Sequence, residues 1–130
     1  MNLLLDTHVF LWYITADSRL PASFQHAICD PDNRVYLSVA SIWEAEVKYR
    51  LGKLPLPSQP SDYLPMQRKA HGIAALPIDE EAIPHLATLP QIHRDSFDRI
   101  LIAQALQHQL VIVTVDAEVS AYPVNCLPKV

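Results

Sequence analysis

Four carboxylates that are widely separated along the chain each stand close to the end of a predicted strand or the start of a predicted helix: Asp6, Glu44, Asp98 and Asp116. Four such groups in one place would repel one another and raise one another's pKa. A hard divalent cation removes that penalty, and carboxylate oxygens with water suit Mg²⁺ or Mn²⁺. An all-oxygen acidic site with open metal positions is suited to phosphodiester hydrolysis. The six histidines are scattered and show no metal-ligand spacing.

The elements that must position these groups are read from the apolar segments and their flanking residues. Strands are predicted over residues 2–5, 35–38, 73–78 and 110–114, with a weak last strand near 124–127. Helices are predicted over residues 7–14, 21–28, 39–51, 63–71 and 97–108, with another opened by Asp79-Glu80-Glu81 in its first turn. Gly52 stands where a glycine that ends a helix is expected.

Strands that alternate with helices predict an α/β fold, a three-layer α/β/α sandwich with a central parallel sheet. Right-handed crossovers place the carboxyl end of every strand, and the start of every following helix, at one edge of that sheet. Sites in open parallel sheets lie at this edge. We therefore expect the four carboxylates to lie near one another there.

Composition bounds the function further. A chain of 130 residues, half of them apolar, fits a single domain over residues 1–130. The net charge of −4 excludes binding of polyphosphate by overall positive charge, and only 2 glycines exclude a Gly-rich phosphate loop. Cys29 and Cys126 are isolated, so a disulfide framework is not expected. The N-terminal segment predicts neither an export signal nor a membrane span, which favours the cytoplasm.

Each carboxylate also has a purely structural interpretation. Asp6 and Asp116 suit helix caps or turns, and residues 41–44 match a capping box in which Glu44 reaches back to its own helix start. Residues 95–98 form a similar pattern, in which Asp95 is expected to cap the helix rather than act as a fifth acid of the site. The expected convergence of all four groups favours a functional site over four separate caps.

Other residues carry weaker signals. Arg99 is expected to pair with a carboxylate, with an RNA contact as the alternative, while Glu46 either adds a carboxylate or faces solvent. His8 is expected to pack or to lie at the surface, although a phosphate contact stays open. Three basic residues form a patch that is either a solvated helix end or a phosphate contact: Lys48, Arg50 and Lys53. Three aromatic residues are expected in the core rather than as base-stacking platforms: Trp12, Trp43 and Phe97.

Four segments together resemble the motifs of the PIN-domain ribonucleases, in the family's order: residues 4–12, 38–44, 93–105 and 113–116. The group that the chain resembles most is the VapC toxins of type II toxin–antitoxin modules. The resemblance implies the PIN fold and a Mg²⁺-dependent (or Mn²⁺-dependent) endoribonuclease that cuts structured RNA such as tRNA or rRNA. It also implies a VapB-like antitoxin that blocks the site, and a homodimer.

The resemblance implies that the family's four acidic residues, which act as metal ligands and catalytic groups, correspond to four positions here: Asp6, Glu44, Asp98 and Asp116. Thr7, Ser41 and Thr114 occupy the neighbouring hydroxyl positions and would orient carboxylates or waters. Ser96 stands where many relatives have proline, and Glu46 where they are often apolar. Neither departure removes a member of the quartet.

Two other classes of protein stay open from the sequence. One is a catalytically silent binding module on the same fold, which acts through its antitoxin complex. The other is a phosphorylatable receiver or an aspartyl-phosphate phosphatase, and the phosphatase would need a second aspartate where His8 stands.

Overall fold

Four short apolar segments form one parallel sheet in the computed structural model, which describes residues 1–130. The strands are β1 (Asn2–Leu5), β2 (Arg34–Ser38), β3 (Ala74–Leu76) and β4 (Val111–Val113). Their spatial order is β3-β2-β1-β4, so β1 lies between β2 and β4. Leu4 is paired with Tyr36 on one side and with Ile112 on the other. The carboxyl ends of all four strands therefore share one edge.

Helices cover both faces of this sheet: α1 (Thr7–Ile14), α2 (Ala22–Cys29), α3 (Val39–Arg50), α4 (Pro60–Ala70), α5 (Ala82–Ala87), α6 (Ser96–His108) and α7 (Ala117–Ser120). Leu3 and Leu5 point into a core shared with α1 and α2, whereas Leu4 points into the opposite core with α6. The predicted three-layer α/β/α sandwich is confirmed. None of the helices combines the length and apolar character that crossing a bilayer requires.

Three details differ from the sequence-based predictions. The last strand is reduced to one bridge, in which Ile112 is hydrogen-bonded to Asn125 and Leu127 at 2.8 and 2.9 Å. Strand β3 stops at Leu76, because Pro77 has no N–H to continue the ladder. Helix α4 begins at Pro60 rather than near residue 63, since proline is tolerated at the first helical position.

The acidic run before α5 also differs from its prediction. Asp79, Glu80 and Glu81 precede the helix, which begins at Ala82, so its first turn holds no acidic residue. The backbone carbonyl of Asp79 accepts from the Ala82 N–H at 3.2 Å, which makes these residues a turn that leads into α5. The charges lie beside the helix start rather than inside it.

Gly52 follows the C-cap of helix α3 and ends the helix, as the sequence predicts. Its φ is +71°, a left-handed conformation that side chains disfavour, and its N–H donates to the Tyr49 carbonyl at 3.0 Å. A Cβ at this position would meet nothing within 4 Å, so only the backbone conformation opposes a side chain.

A Gly52→Ala variant is therefore expected to lower the free energy of unfolding by about 1 kcal/mol, because alanine resists positive φ. Chemical denaturation of the purified variant beside the wild type measures this change. A variant with unaltered stability would show that the turn relaxes to another conformation.

Candidate metal centre

The four predicted carboxylates lie in one cavity of about 390 Å³ at the carboxyl edge of the sheet. Asp6 directly follows β1 and Asp116 follows β4, its neighbour in the sheet, while Glu44 and Asp98 project from α3 and α6. Five carboxylates and one lysine line the cavity, with Asp95 as the fifth acid. The structure thus brings together all four side chains that the sequence analysis selected.

Asp6 is buried and its side chain does not cap a helix. It occupies the N-cap position of α1, but its carboxylate makes no capping hydrogen bond of normal geometry, and the His8 N–H only weakly opposes the rise in its pKa. Instead the Thr114 hydroxyl donates to Asp6 Oδ2 at 2.6 Å. Burial raises the pKa of the Asp6 carboxyl, and the negative charge of Glu44 adds to that rise, while the Thr114 hydrogen bond opposes it. Asp6 is thus the N-cap residue of α1 by position, while its carboxylate is oriented mainly by Thr114.

Glu44 does not belong to a capping box. The N-cap of α3 is Ser38, which accepts from the second residue of the helix at 3.0 Å, so Glu44 lies beyond the first turn. The Thr7 hydroxyl donates to Glu44 Oε1 at 2.7 Å and lies 2.8 Å from Ser41 Oγ, so Thr7 contacts the carboxylate directly and Ser41 contacts Thr7. Lys48 donates to the other oxygen, Oε2, at 2.7 Å.

The Asp98 carboxylate faces the cavity, because Asp95 rather than Asp98 caps helix α6. As predicted, Asp95 caps α6, accepting from the N–H groups of Phe97 and Asp98 at 2.9 and 3.4 Å. Burial raises the pKa of the Asp98 carboxyl to about 7, and the charges of Asp6 and Asp95 contribute to the rise. The group is buried with more negative than positive charge around it, which favours a bound cation.

The two carboxylate oxygens of Asp116 have different neighbours. One carboxylate oxygen caps α7 by accepting from the Glu118 N–H at 2.9 Å, so the structural interpretation also holds for this residue. Its other oxygen lies 3.9 Å from His93 Nε2. The Asp116 N–H donates to Thr114 Oγ1 at 3.0 Å, so a single hydroxyl joins Asp116 and Asp6.

His93 is the residue of the cavity that the sequence analysis missed. Its Nε2 lies 2.8 Å from Asp98 Oδ2 and its Nδ1 lies 2.7 Å from Glu118 Oε2. Three potential ligand atoms lie within 4.8 Å of one another, one from each of His93, Asp98 and Asp116. This spacing is close enough for one metal ion to contact all three. The only signal in the sequence is that His93 precedes Asp98 within the same motif.

Lys48 also enters the cavity, whereas Arg50 pairs with Glu46 at 3.8 Å outside it. Burial lowers the pKa of the Lys48 ammonium, but the hydrogen bond and charge of Glu44 outweigh it, so the net shift is upward and the group stays charged. Glu46 accepts from Gln59 at 3.1 Å and adds no carboxylate to the site.

The prediction for Arg99 is wrong. Its guanidinium donates to the Pro90 carbonyl and to Tyr122 Oη, each at 3.0 Å, and to no carboxylate. Successive residues of a helix point about 100° apart, so Arg99 is turned away from the cavity that Asp98 faces.

The core prediction for the aromatic residues is wrong for Trp43, whose relative exposure is 60%, and Trp12 is only half-buried. Trp43 meets the half-buried Phe97 edge-to-face, with ring centroids 4.9 Å apart. His8 is exposed at the rim of the cavity, as the sequence analysis expected.

Residues 3–125 match the PIN domain family, and the chain belongs to that family. A curated relative is Ribonuclease VapC16 of Mycobacterium tuberculosis, 39% identical over 56 residues, or 43% of this chain. That match spans only 40% of the relative's length.

Solved structures share the fold over nearly the whole chain. VapBC2 from Rickettsia felis, bound to a DNA fragment from its promoter, has a TM-score of 0.72 at 15% identity, with 98% of each chain covered. VapBC-1 from nontypeable Haemophilus influenzae has a TM-score of 0.69 at 15% identity, covering 99% of this chain and 98% of that one. FitAcB from Neisseria gonorrhoeae has a TM-score of 0.60 at 25% identity, covering 98% and 97%. The predicted resemblance to VapC proteins is confirmed.

The cavity fits a hard divalent cation. Its donors are carboxylate oxygens and the His93 imidazole, with His8 at the rim, and burial raises the pKa values of both Asp6 and Asp98. The single lysine is already paired with Glu44. A divalent ion would supply the missing positive charge.

Proposed function

We propose that this PIN-domain protein is the toxin of a VapBC-like toxin–antitoxin module and a Mg²⁺-dependent endoribonuclease of the cytoplasm. The convergence of Asp6, Glu44, Asp98 and Asp116 in one cavity carries the proposal. The ribonuclease name of the Mycobacterium tuberculosis relative and the VapBC structures with the same fold support it. The substrate class that the family resemblance implies is structured RNA, such as tRNA or rRNA.

The four carboxylates would hold the ion, with His93 at its edge. When bound, a divalent ion lowers the pKa of water and neutralises charge on the scissile phosphate. The protein orients the site around it: the Thr114 hydroxyl fixes Asp6, and the Thr7 hydroxyl fixes Glu44. Lys48 places a positive charge beside Glu44, where it reduces repulsion between the carboxylates and an approaching phosphate.

Metal removal tests the proposal directly. Purified protein is expected to cut RNA in Mg²⁺ and to stop on chelation, and Mg²⁺ alone is expected to raise its melting temperature, because the ion binds only the folded site. Gel analysis of RNA and a thermal melt measure the two effects. A folded protein that gains no stability from Mg²⁺ and leaves RNA intact would be a catalytically silent binding module instead.

We also propose a VapB-like antitoxin as the partner, since the Rickettsia felis and Haemophilus influenzae structures with this fold are VapBC complexes. Membership of the PIN family favours a nuclease over the receiver and phosphatase alternatives, and His8 stands where the phosphatase would need a second aspartate. The catalytically silent module has the same fold and sequence motifs, so only the metal experiment separates it from a nuclease.

A homodimer is the proposed assembly, and an apolar pocket of about 440 Å³ beside the metal centre supports it. Its walls are almost wholly apolar, and they include the exposed Trp43 together with Ile78 and Leu86. Exposed apolar surface of this kind is typical of protein–protein contacts. We expect a second copy to cover it.

An Ile78→Asp variant is expected to shift the protein from dimer to monomer at micromolar concentration, because a charge would be buried in the interface. Light scattering coupled to size exclusion measures the mass, and Ile83→Asp is the control, because Ile83 is an exposed isoleucine that does not line this pocket. A wild type that is already monomeric would contradict the proposal.

A further inference from the structure

A second cavity, here called the α1 groove, adjoins the metal centre. It has a volume of about 390 Å³ and lies between α1, with the residues that follow it, and the segment after Gly52. His8 and Trp12 line both cavities, so the two spaces are adjacent. A chain molecule held at the carboxylates would reach this groove by passing His8 and Trp12.

One flat side chain lies over another in the groove, since the Arg19 guanidinium covers one face of the Trp12 ring. The Arg19 guanidinium carbon lies 5.2 Å from the centre of the Trp12 ring. Asp17 holds the guanidinium in place through two hydrogen bonds, of 3.1 Å from Nε and 2.7 Å from Nη2. Indole and guanidinium planes are the surfaces on which single-stranded bases stack.

The charge of the groove is opposite to that of the metal centre. Its one carboxylate, Asp17, is neutralised by Arg19, while Lys53 on the opposite wall takes part in no salt bridge. A free lysine beside stacking surfaces is suited to a phosphate. Acidic peptides would find the same cation, but the paired planes of Trp12 and Arg19 favour a nucleobase.

The dimensions agree with a short piece of strand. From His8 to Thr15 the wall formed by α1 is about 10 Å long at 1.5 Å per residue. A stacked strand rises about 3.4 Å per nucleotide. The groove therefore holds two or three nucleotides next to the carboxylates.

We propose that the α1 groove binds single-stranded RNA nucleotides adjacent to the scissile phosphodiester, with a base stacked on Trp12 and Arg19 and a phosphate at Lys53. This inference rests on the proposed ribonuclease function. It assigns these side chains to positioning and binding the substrate rather than to the reacting atoms.

Binding of a short, labelled, mixed-sequence single-stranded RNA tests the proposal. It is measured by fluorescence anisotropy with Mg²⁺ present, in an Asp98→Asn background that keeps the RNA intact. Trp12→Leu is expected to weaken binding by roughly 5- to 100-fold, and Trp12→Phe to retain most of it, because a phenyl ring still stacks. Lys53→Gln is expected to reduce the slope of log affinity against log salt by about 1, unlike its control Lys69→Gln.

A spectroscopic measurement keeps Trp12 in place. Trp43 is the only other tryptophan, so a Trp43→Phe protein reports on Trp12 alone, and RNA is expected to quench that fluorescence. In cleavage assays with intact carboxylates, Trp12→Leu is expected to raise KM far more than it lowers kcat.

Two results would overturn the inference while leaving the proposed function intact. One is cleavage by the wild type with unchanged RNA affinity in both groove variants and an unquenched indole. The other is that the groove variants lose binding to the proposed VapB-like antitoxin but keep their affinity for RNA. The groove would then be a peptide-binding site. A wild type that neither binds nor cuts RNA would contradict both proposals.

Discussion

Asp98→Asn and Asp6→Asn are each expected to lower Mg²⁺-dependent RNA cleavage by roughly a thousandfold or more, because each removes a carboxylate that would hold the ion. Both substitutions keep the size of the side chain and one oxygen acceptor, so the fold should persist. Initial cleavage rates with purified variants measure the loss, and circular dichroism verifies folding.

Glu46→Gln supplies the matched control, because Glu46 lies two residues from Glu44 on α3 but outside the cavity. This variant should cut RNA at the wild-type rate, and expression of either active protein without an antitoxin should slow growth. Cleavage that survives in both aspartate variants would contradict the assignment of the metal centre.

The same Asp98→Asn change is expected to stabilise the metal-free protein at neutral and higher pH. The pKa of Asp98 is raised from 3.8 to about 7 in the folded protein, chiefly by burial. Folding therefore disfavours the ionised form, and wild-type stability falls as the pH rises from about 4 through 7. Asparagine carries no charge, so the variant should exceed the wild type by roughly 2–4 kcal/mol at pH 8 and match it near pH 4.

Denaturant unfolding in a chelator at the two pH values measures this difference. Adding Mg²⁺ should reverse the order at pH 8, because only the wild type regains the full set of ligands. A variant that is less stable than the wild type in the chelator at pH 8 would show that the Asp98 charge is already compensated by His93 and Lys48.

Much of the fold follows from local signals that agree with one another. An apolar run that ends at Asp6 defines β1 and the start of α1, and both elements have their predicted bounds. The rule that parallel strands share a carboxyl edge was enough to place Asp6 and Asp116 together, since it depends on topology alone. Their detailed contacts needed the structure.

What could not be predicted depends on side-chain direction. His93 lies in a loop whose course follows from packing against Tyr122, whose hydroxyl accepts from the His93 N–H at 2.8 Å. Arg99 was assigned a carboxylate partner because Asp98 is adjacent, although neighbours on a helix face different ways. Trp43 was assigned to the core by its residue type, and nothing in the sequence shows that its helix presents it to solvent.

The Thr114 hydroxyl, which joins Asp6 to Asp116, ties groups that lie more than a hundred residues apart along the chain: Thr114 and Asp6 are separated by 108 positions. During translation Asp6 leaves the ribosome early, yet its carboxylate is oriented only after β4 has been made and has paired with β1. The acidic centre of the nascent chain therefore cannot form until β4 and Asp116 have been synthesised, so the protein cannot act before that point.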